Sequence, residues 1–187
     1  MSDSMTSRST PLLGFAAWSG AGKTTLLTRL LPILRDSGLH VALIKHAHHN
    51  FDVDQPGKDS HELRKAGAGQ VLVASSRRLA LMVENPEGQE SKPVLDDLIP
   101  MLDPRRMDLI LVEGFKGEPI PKIEIHRPAL GKPLLCVDDP HIIAVATDDP
   151  GSVPDGIATL PLDEVRVIAS FIGEHFGLPG LKAKPRP

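Results

Sequence analysis

Eight residues decide most of what this chain can fold into: Ala17-Trp18-Ser19-Gly20-Ala21-Gly22-Lys23-Thr24. They lie between a short apolar run, Leu12 to Ala16, and a stretch from Thr24 to Arg35 whose leucines recur at helical spacing. A strand that enters a glycine-turned loop and leaves it as a helix is the phosphate-binding junction G-x-x-x-x-G-K-[ST], here with Ala17 in the place of the first glycine. The residue types meet the physical demands. Gly20 and Gly22 let the backbone turn with its N–H groups inward, beside the positive end of the helix. Ser19, Gly20, Ala21 and Gly22 form the cradle, and Lys23 adds a point charge for the outer phosphates. The Thr24 hydroxyl is the candidate Mg²⁺ ligand, and Thr25 follows as a further nucleotide-binding candidate. An ordinary Gly-Ser turn before a helix is the alternative. The ordered succession of apolar run, two glycines, Lys-Thr and helix favours the phosphate loop.

The rest of the chain continues the alternation. Leu26, Leu27, Leu30, Leu31 and Leu34 share a helix face with Gly38 as its stop, and Pro32 is expected to kink that helix or end its regular part early. Val41 to Ile44 reads as a second buried strand, ending at Lys45 and His46. After a polar loop from Ala47 to Lys58, Asp59 to Ala66 reads as a short helix with Lys58 or Asp59 at its cap and Gly67 at its end. Val71 to Ala74 and Leu79 to Val83 read as an antiparallel pair across the Ser75–Arg78 turn. Helical spacing returns from Val94 to Leu102. Leu109-Ile110-Leu111-Val112 reads as a strand buried on both faces, Ile123-Glu124-Ile125 as an exposed one, and Ile142 to Ala146 as buried again. Asp163 to Phe176 is the last helix. This pattern implies an α/β, P-loop NTPase-like fold: a mostly parallel open sheet flanked by helices, with a small antiparallel addition. The expected organisation is a disordered N-terminus over 1–10, a single P-loop domain over 11–177 and a mobile tail over 178–187.

Composition excludes several function classes. A net charge of −3 lacks the basic excess of a nucleic-acid binder, and an aromatic content of 3% supplies no base-stacking platform. The single Cys136 allows no intrachain disulfide and suits a reducing compartment. No apolar run approaches the roughly 20 residues of a membrane helix. The run Leu12 to Trp18 has the length of a signal-peptide core but passes straight into the phosphate loop, so a cytoplasmic location is expected.

In an open parallel sheet, ligands bind at the carboxyl ends of the strands. Those ends carry the phosphate loop, Lys45-His46, Glu113-Gly114 and Thr147-Asp148. Glu113 closes an apolar strand and is the candidate to hold Mg²⁺ with Thr24, directly or through water; Asp108 opens the same strand at its opposite end. His46, His48 and His49, with Asp52, Asp54 and His61, form a second cluster. It reads as a zinc site, as a substrate or switch loop, or as a solvated loop. Asp54 or Asp52 is its Mg²⁺-side group. Asp148 follows a buried strand where its carboxylate can accept guanine N1–H and N2–H₂, although Thr-Asp-Asp-Pro-Gly is also a good turn. Arg77-Arg78 and Arg105-Arg106 are candidate phosphate fingers or solvated turns. No catalytic residue can be named.

The run Phe15 to Gly20 with Gly22-Lys23-Thr24-Thr25, then Leu43-Ile44-Lys45-His46 and His48-His49, resembles the molybdopterin-guanine dinucleotide biosynthesis adaptor family, MobB. The likeness continues through Asp52-Val53-Asp54, Pro56 to Ser60, Glu62 to Gly67 and Leu109 to Lys116, and spans Leu12 to about Asp148. Trp18 stands where the related deviant ATPases carry a signature lysine. The resemblance implies a homodimeric GTP-binding protein of the SIMIBI branch that uses Mg²⁺ and hydrolyses GTP slowly. It also implies a partner, the guanylyltransferase that joins GMP to the molybdenum cofactor, with His46, His48, His49 and Lys116 as the loop facing that partner or a molybdopterin-type cofactor. Two other readings stay open on the residues alone: a nickel- or zinc-delivery GTPase, suggested by the histidines, and a small-molecule P-loop kinase.

Overall fold

The computed structural model describes residues 10–47, 51–85 and 92–181. Chain order begins with β1 (Leu12–Ala17), α1 (Lys23–Asp36) and β2 (Val41–Lys45). Next come α2 (Asp59–Lys65), β3 (Gln70–Ala74) and β4 (Leu79–Val83), then α3 (Leu95–Leu98) and β5 (Leu109–Glu113). β6 (Lys122–His126), β7 (Ile142–Thr147), β8 (Ala158–Pro161) and α4 (Val165–Phe176) complete the series. Two compact units result. One comprises Met1–His46 with Val94–Pro187, the other Ala47–Pro93.

The first unit holds a six-stranded sheet in the order β2-β5-β1-β6-β7-β8, every pairing parallel. β1 lies inside the sheet with later strands on both sides, so the chain leaves it at a switch point where a ligand crevice opens. All five residues of β5 are buried, as a run of four apolar residues ahead of Glu113 requires. Leu26, Leu27, Leu30 and Leu34 of α1 pack with Ile168 and Ile172 of α4 on one face, against Leu13, Phe15, Leu111, Ile123 and Ile125. The opposite face is covered near β5 by Leu95 of α3 with Ile44, Ile110, Val112 and Phe115. Near β7 it is covered by Cys136 with Ala16, Ile142 and Val145. Among the described residues no helix is long and apolar enough to cross a membrane.

Four expectations need correction. Pro32 does not end α1 early: the helix runs through it to Asp36, because Pro32 and Thr28 are both exposed and water can solvate the Thr28 carbonyl that loses its donor. β2 is an edge strand in which only Ile44 is buried, having a neighbour on one side alone. β6, read as exposed, is buried throughout. Its Glu124 accepts the backbone N–H groups of Leu135 and Cys136 at 2.8 and 2.9 Å, and its Lys122 donates to Asp139 at 2.9 Å. The segment after the strand thus folds back over its polar side chains. Gly14 on β1 makes room for Lys122: a Cβ there would stand 2.8 Å from Lys122 Cγ. Finally, the expected tail is anchored at its start. Gly177 caps α4 with φ +65°, after which Leu178 packs against the core and Leu181 is buried in it. Expectations for residues 1–9 and 182–187 lie outside the described residues.

The second unit contains α2 and the antiparallel hairpin β3–β4, with Gln70 paired to Val83 and Ala74 to Leu79. Both strands are as expected, but their apolar side chains are open: Leu72 is 63%, Leu79 67% and Leu81 51% exposed.

Candidate functional site

The loop from Trp18 to Gly22 turns at Gly20 (φ +84°) and Gly22 (φ +92°), a region that side chains other than glycine's rarely enter. Gly22 is the N-cap of α1; no side chain caps that end and its first turn holds no acidic residue. The fourteen-residue helix therefore presents uncapped amides and the positive end of its dipole, with Thr24 and Thr25 exposed on the first turn. Lys23 leads to the next strand end. Its Nζ lies 3.7 Å from Oε1 of Glu113, which is 9% exposed, and Lys45 Nζ lies 3.2 Å from Oε2 of the same carboxylate. Parallel register sets this up, with Lys45 opposite Glu113 on β2 and Phe15 opposite it on β1. Thus a buried carboxylate holds two cations beside the glycine loop, an arrangement in which a metal ion can replace a lysine at Glu113 and free Lys23 for an anionic phosphate.

Gly114 (φ +94°) allows the close crossing that follows. A Cβ there would come within 2.9 Å of His46 Cβ and 3.2 Å of its carbonyl oxygen. The His46 N–H donates to the Glu113 carbonyl at 2.8 Å, and its ring lies 5.4 Å from that of Phe115. Lys116 places its ammonium 5.2 Å from the centre of the Trp18 ring, and Lys132 approaches the same ring at 5.7 Å. The indole N–H donates to the Pro133 carbonyl at 2.8 Å.

A family model described as molybdopterin guanine dinucleotide synthesis protein B matches residues 12–148. The chain belongs to this family. The molybdopterin-guanine dinucleotide biosynthesis adapter protein of Escherichia coli (strain K12) is 52% identical over 165 residues, covering 88% of this chain and 92% of its own. The Haemophilus influenzae protein of the same name is 46% identical over 163 residues, 87% of each chain. A solved structure of a molybdopterin-guanine biosynthesis protein B superposes with a TM-score of 0.68 at 31% identity, over 89% of this chain and 99% of that one. The glycine loop, Glu113 and Lys116 all fall inside the span matched by the MobB model, and Asp148 is its last residue.

One residue at this crevice escaped the sequence reading. Arg127 follows β6, between the loop and Asp148. Its Nε donates to the Ala21 carbonyl at 3.2 Å and its Nη1 to Asp148 Oδ2 at 2.8 Å. Reading β6 as buried would have put its end, His126-Arg127, among the strand ends considered. The other arginines have local duties. Arg105 forks onto Asp103 at 3.0 and 3.3 Å and holds that carboxyl below its usual range, while the N–H groups of Arg77 and Arg78 donate to Ser75 Oγ within the hairpin turn.

Within the second unit, Arg64 organises the acidic loop. Its guanidinium donates to Glu84 at 2.6 Å and Asp52 at 2.7 Å, and Nε lies 3.6 Å from Asp54 Oδ2. The Asp54 N–H and Arg64 hold the Asp52 carboxyl below its ordinary value. Asp54 Oδ1 accepts from Gln55 N–H and Ser60 Oγ, whereas Oδ2 is buried without a hydrogen bond. His61 Nδ1 stands 3.3 Å from Glu62. His48 and His49 lie outside the described residues. Among the described residues no group of three or more His, Cys, Asp and Glu side chains is arranged to hold a metal ion.

Proposed function

We propose that this chain is the GTP-binding adaptor that assists a partner guanylyltransferase in attaching GMP to molybdopterin. The observation that carries the reading is the uncapped, glycine-turned start of α1 with Lys23 held against buried Glu113, in a chain of the MobB family. On this reading residues 11–177 work as one nucleotide-binding domain in the cytoplasm. The amides from Ser19 to Thr25 and the Lys23 ammonium neutralise phosphate charge, and Asp148 accepts the guanine N–H groups.

A hydroxyl and a carboxylate are hard oxygen donors, the type that Mg²⁺ takes beside phosphates, so Thr24 and Glu113 fit that ion. Bound Mg²⁺ would offset the charge of the outer phosphates. Slow hydrolysis then needs only a positioned water and this charge neutralisation. His46 and Lys116, together with His48 and His49, are the candidates to handle the transferase or a molybdopterin-type cofactor. The open leucines of the β3–β4 hairpin support a homodimer in which a second copy covers them.

The test is a reconstituted assay of guanine dinucleotide formation at limiting GTP, with the transferase always present. Wild-type chain should raise product yield, and Lys23→Ala should abolish that gain. Equal yield without adaptor, with wild type and with Lys23→Ala would reject the function.

A further inference from the structure

Arg127 touches both ends of the nucleotide crevice with one guanidinium, and neither contact is needed to close the core. The side chain is 36% exposed. Its Nε donates to Ala21 O at 3.2 Å, and Nη1 reaches Asp148 Oδ2 at 2.8 Å. A Cβ added to Gly22 would lie 3.8 Å from Nε and 3.9 Å from Nη2, so the guanidinium rests on the loop itself.

The consequence follows from peptide geometry. In a planar trans peptide the C=O and the following N–H point in opposite directions. Anchoring the Ala21 carbonyl on Arg127 therefore turns the Gly22 N–H away from the arginine, toward the inner side of the loop. The same guanidinium fixes the Asp148 carboxylate just past the end of β7. Arginine suits this task because its rigid fork serves two acceptors at once, which a lysine ammonium on a flexible stem does not.

We infer that Arg127 is a specificity-positioning residue: it orients the Gly22 amide toward phosphate and the Asp148 carboxylate toward the purine, coupling recognition of the two ends of a guanine nucleotide. This rests on the proposed nucleotide reading of the glycine loop and Asp148.

The experiment measures dissociation constants for GTP, ATP and inorganic triphosphate by calorimetry on the full chain. The variants are wild type, Arg127→Ala, Arg127→Lys, Asp148→Ala and the Arg127→Ala/Asp148→Ala double. Losing charge-assisted hydrogen bonds should cost Arg127→Ala at least about tenfold in GTP affinity. Its GTP-over-ATP preference should fall to that of Asp148→Ala, and triphosphate binding should weaken by a smaller factor. The double variant should be no less selective than either single one, and Arg127→Lys should retain part of the preference while keeping the fold. If Arg127→Ala keeps wild-type selectivity while Asp148→Ala loses it, the inference is overturned and the nucleotide reading stands. If Asp148→Ala itself keeps wild-type selectivity, the base-reading role fails and the positioning role fails with it.

Discussion

β6 and the β3–β4 hairpin reverse the usual relation between polarity and burial. Lys122-Ile123-Glu124-Ile125-His126 is buried at every position, although three of its five side chains are polar. Leu79-Ala80-Leu81-Met82-Val83 is almost wholly apolar, yet three of its five residues are exposed. Burial is set by what lies over a strand, and polarity only decides what that cover must supply. Over β6 the cover is the segment after it, which brings two backbone donors to Glu124 and a carboxylate to Lys122. Burial beside Glu124 also pushes the Cys136 thiol up to about 11, which keeps it neutral and unreactive at physiological pH. Among the described residues the hairpin's leucines stay exposed.

The strongest way to break this comparison is Glu124→Ala. It leaves the buried Cys136 amide and the part-buried Leu135 amide without their acceptor, at up to about 1–3 kcal/mol each. Denaturant unfolding should show a loss of several kcal/mol; a loss below 1 kcal/mol would mean that the cover does not depend on this carboxylate.

Leu81→Glu asks the opposite question of the hairpin. Monomer stability should barely change, while association in the proposed homodimer should weaken by about 1.5–3 kcal/mol for each of the two copies of the leucine it buries. Sedimentation velocity over a range of concentrations separates these effects. An unchanged dimer in the variant would remove the hairpin from the interface.

Lys122→Met is the mildest change. Asp139 is 23% exposed, so it can take water when its partner is gone, and neutral-pH stability should shift by less than about 1 kcal/mol. Partial burial raises the Asp139 carboxyl, but the Lys122 ammonium and the His141 N–H outweigh it and hold the group below its ordinary value of 3.8. A depressed folded pKa contributes stability that is present above the ordinary value and is lost as pH falls through the folded one. Wild type should therefore lose part of its stability below pH 3.8, and Lys122→Met should lose less there. Parallel acid profiles would refute the pairing.

The same contrast explains what could be read ahead of the structure. The glycine loop, β5 and β7 were legible because each is a contiguous signal: glycines at fixed spacing, or an unbroken apolar run. β6 was not, since its alternation of isoleucines with charges is also the pattern of a half-exposed strand, and the difference lies in residues 135–139. Missing its burial also hid Arg127, the residue at its end. β8 went unread because four residues ending in Pro161 carry too short a pattern. The Glu113 site was legible as a strand end, but its two lysines were not, because pairing Lys45 with Glu113 depends on register across sixty-eight residues of chain.

The central claim is that the loop before α1 binds a guanine nucleotide through Lys23. Its most direct test is calorimetric titration of GTP with Mg²⁺ into wild type and Lys23→Ala, each checked for fold by circular dichroism. Wild type is expected to bind one GTP per chain, and Lys23→Ala to bind roughly ten- to a hundredfold more weakly. Equal affinity in the two proteins, or no binding by wild type, would contradict the account.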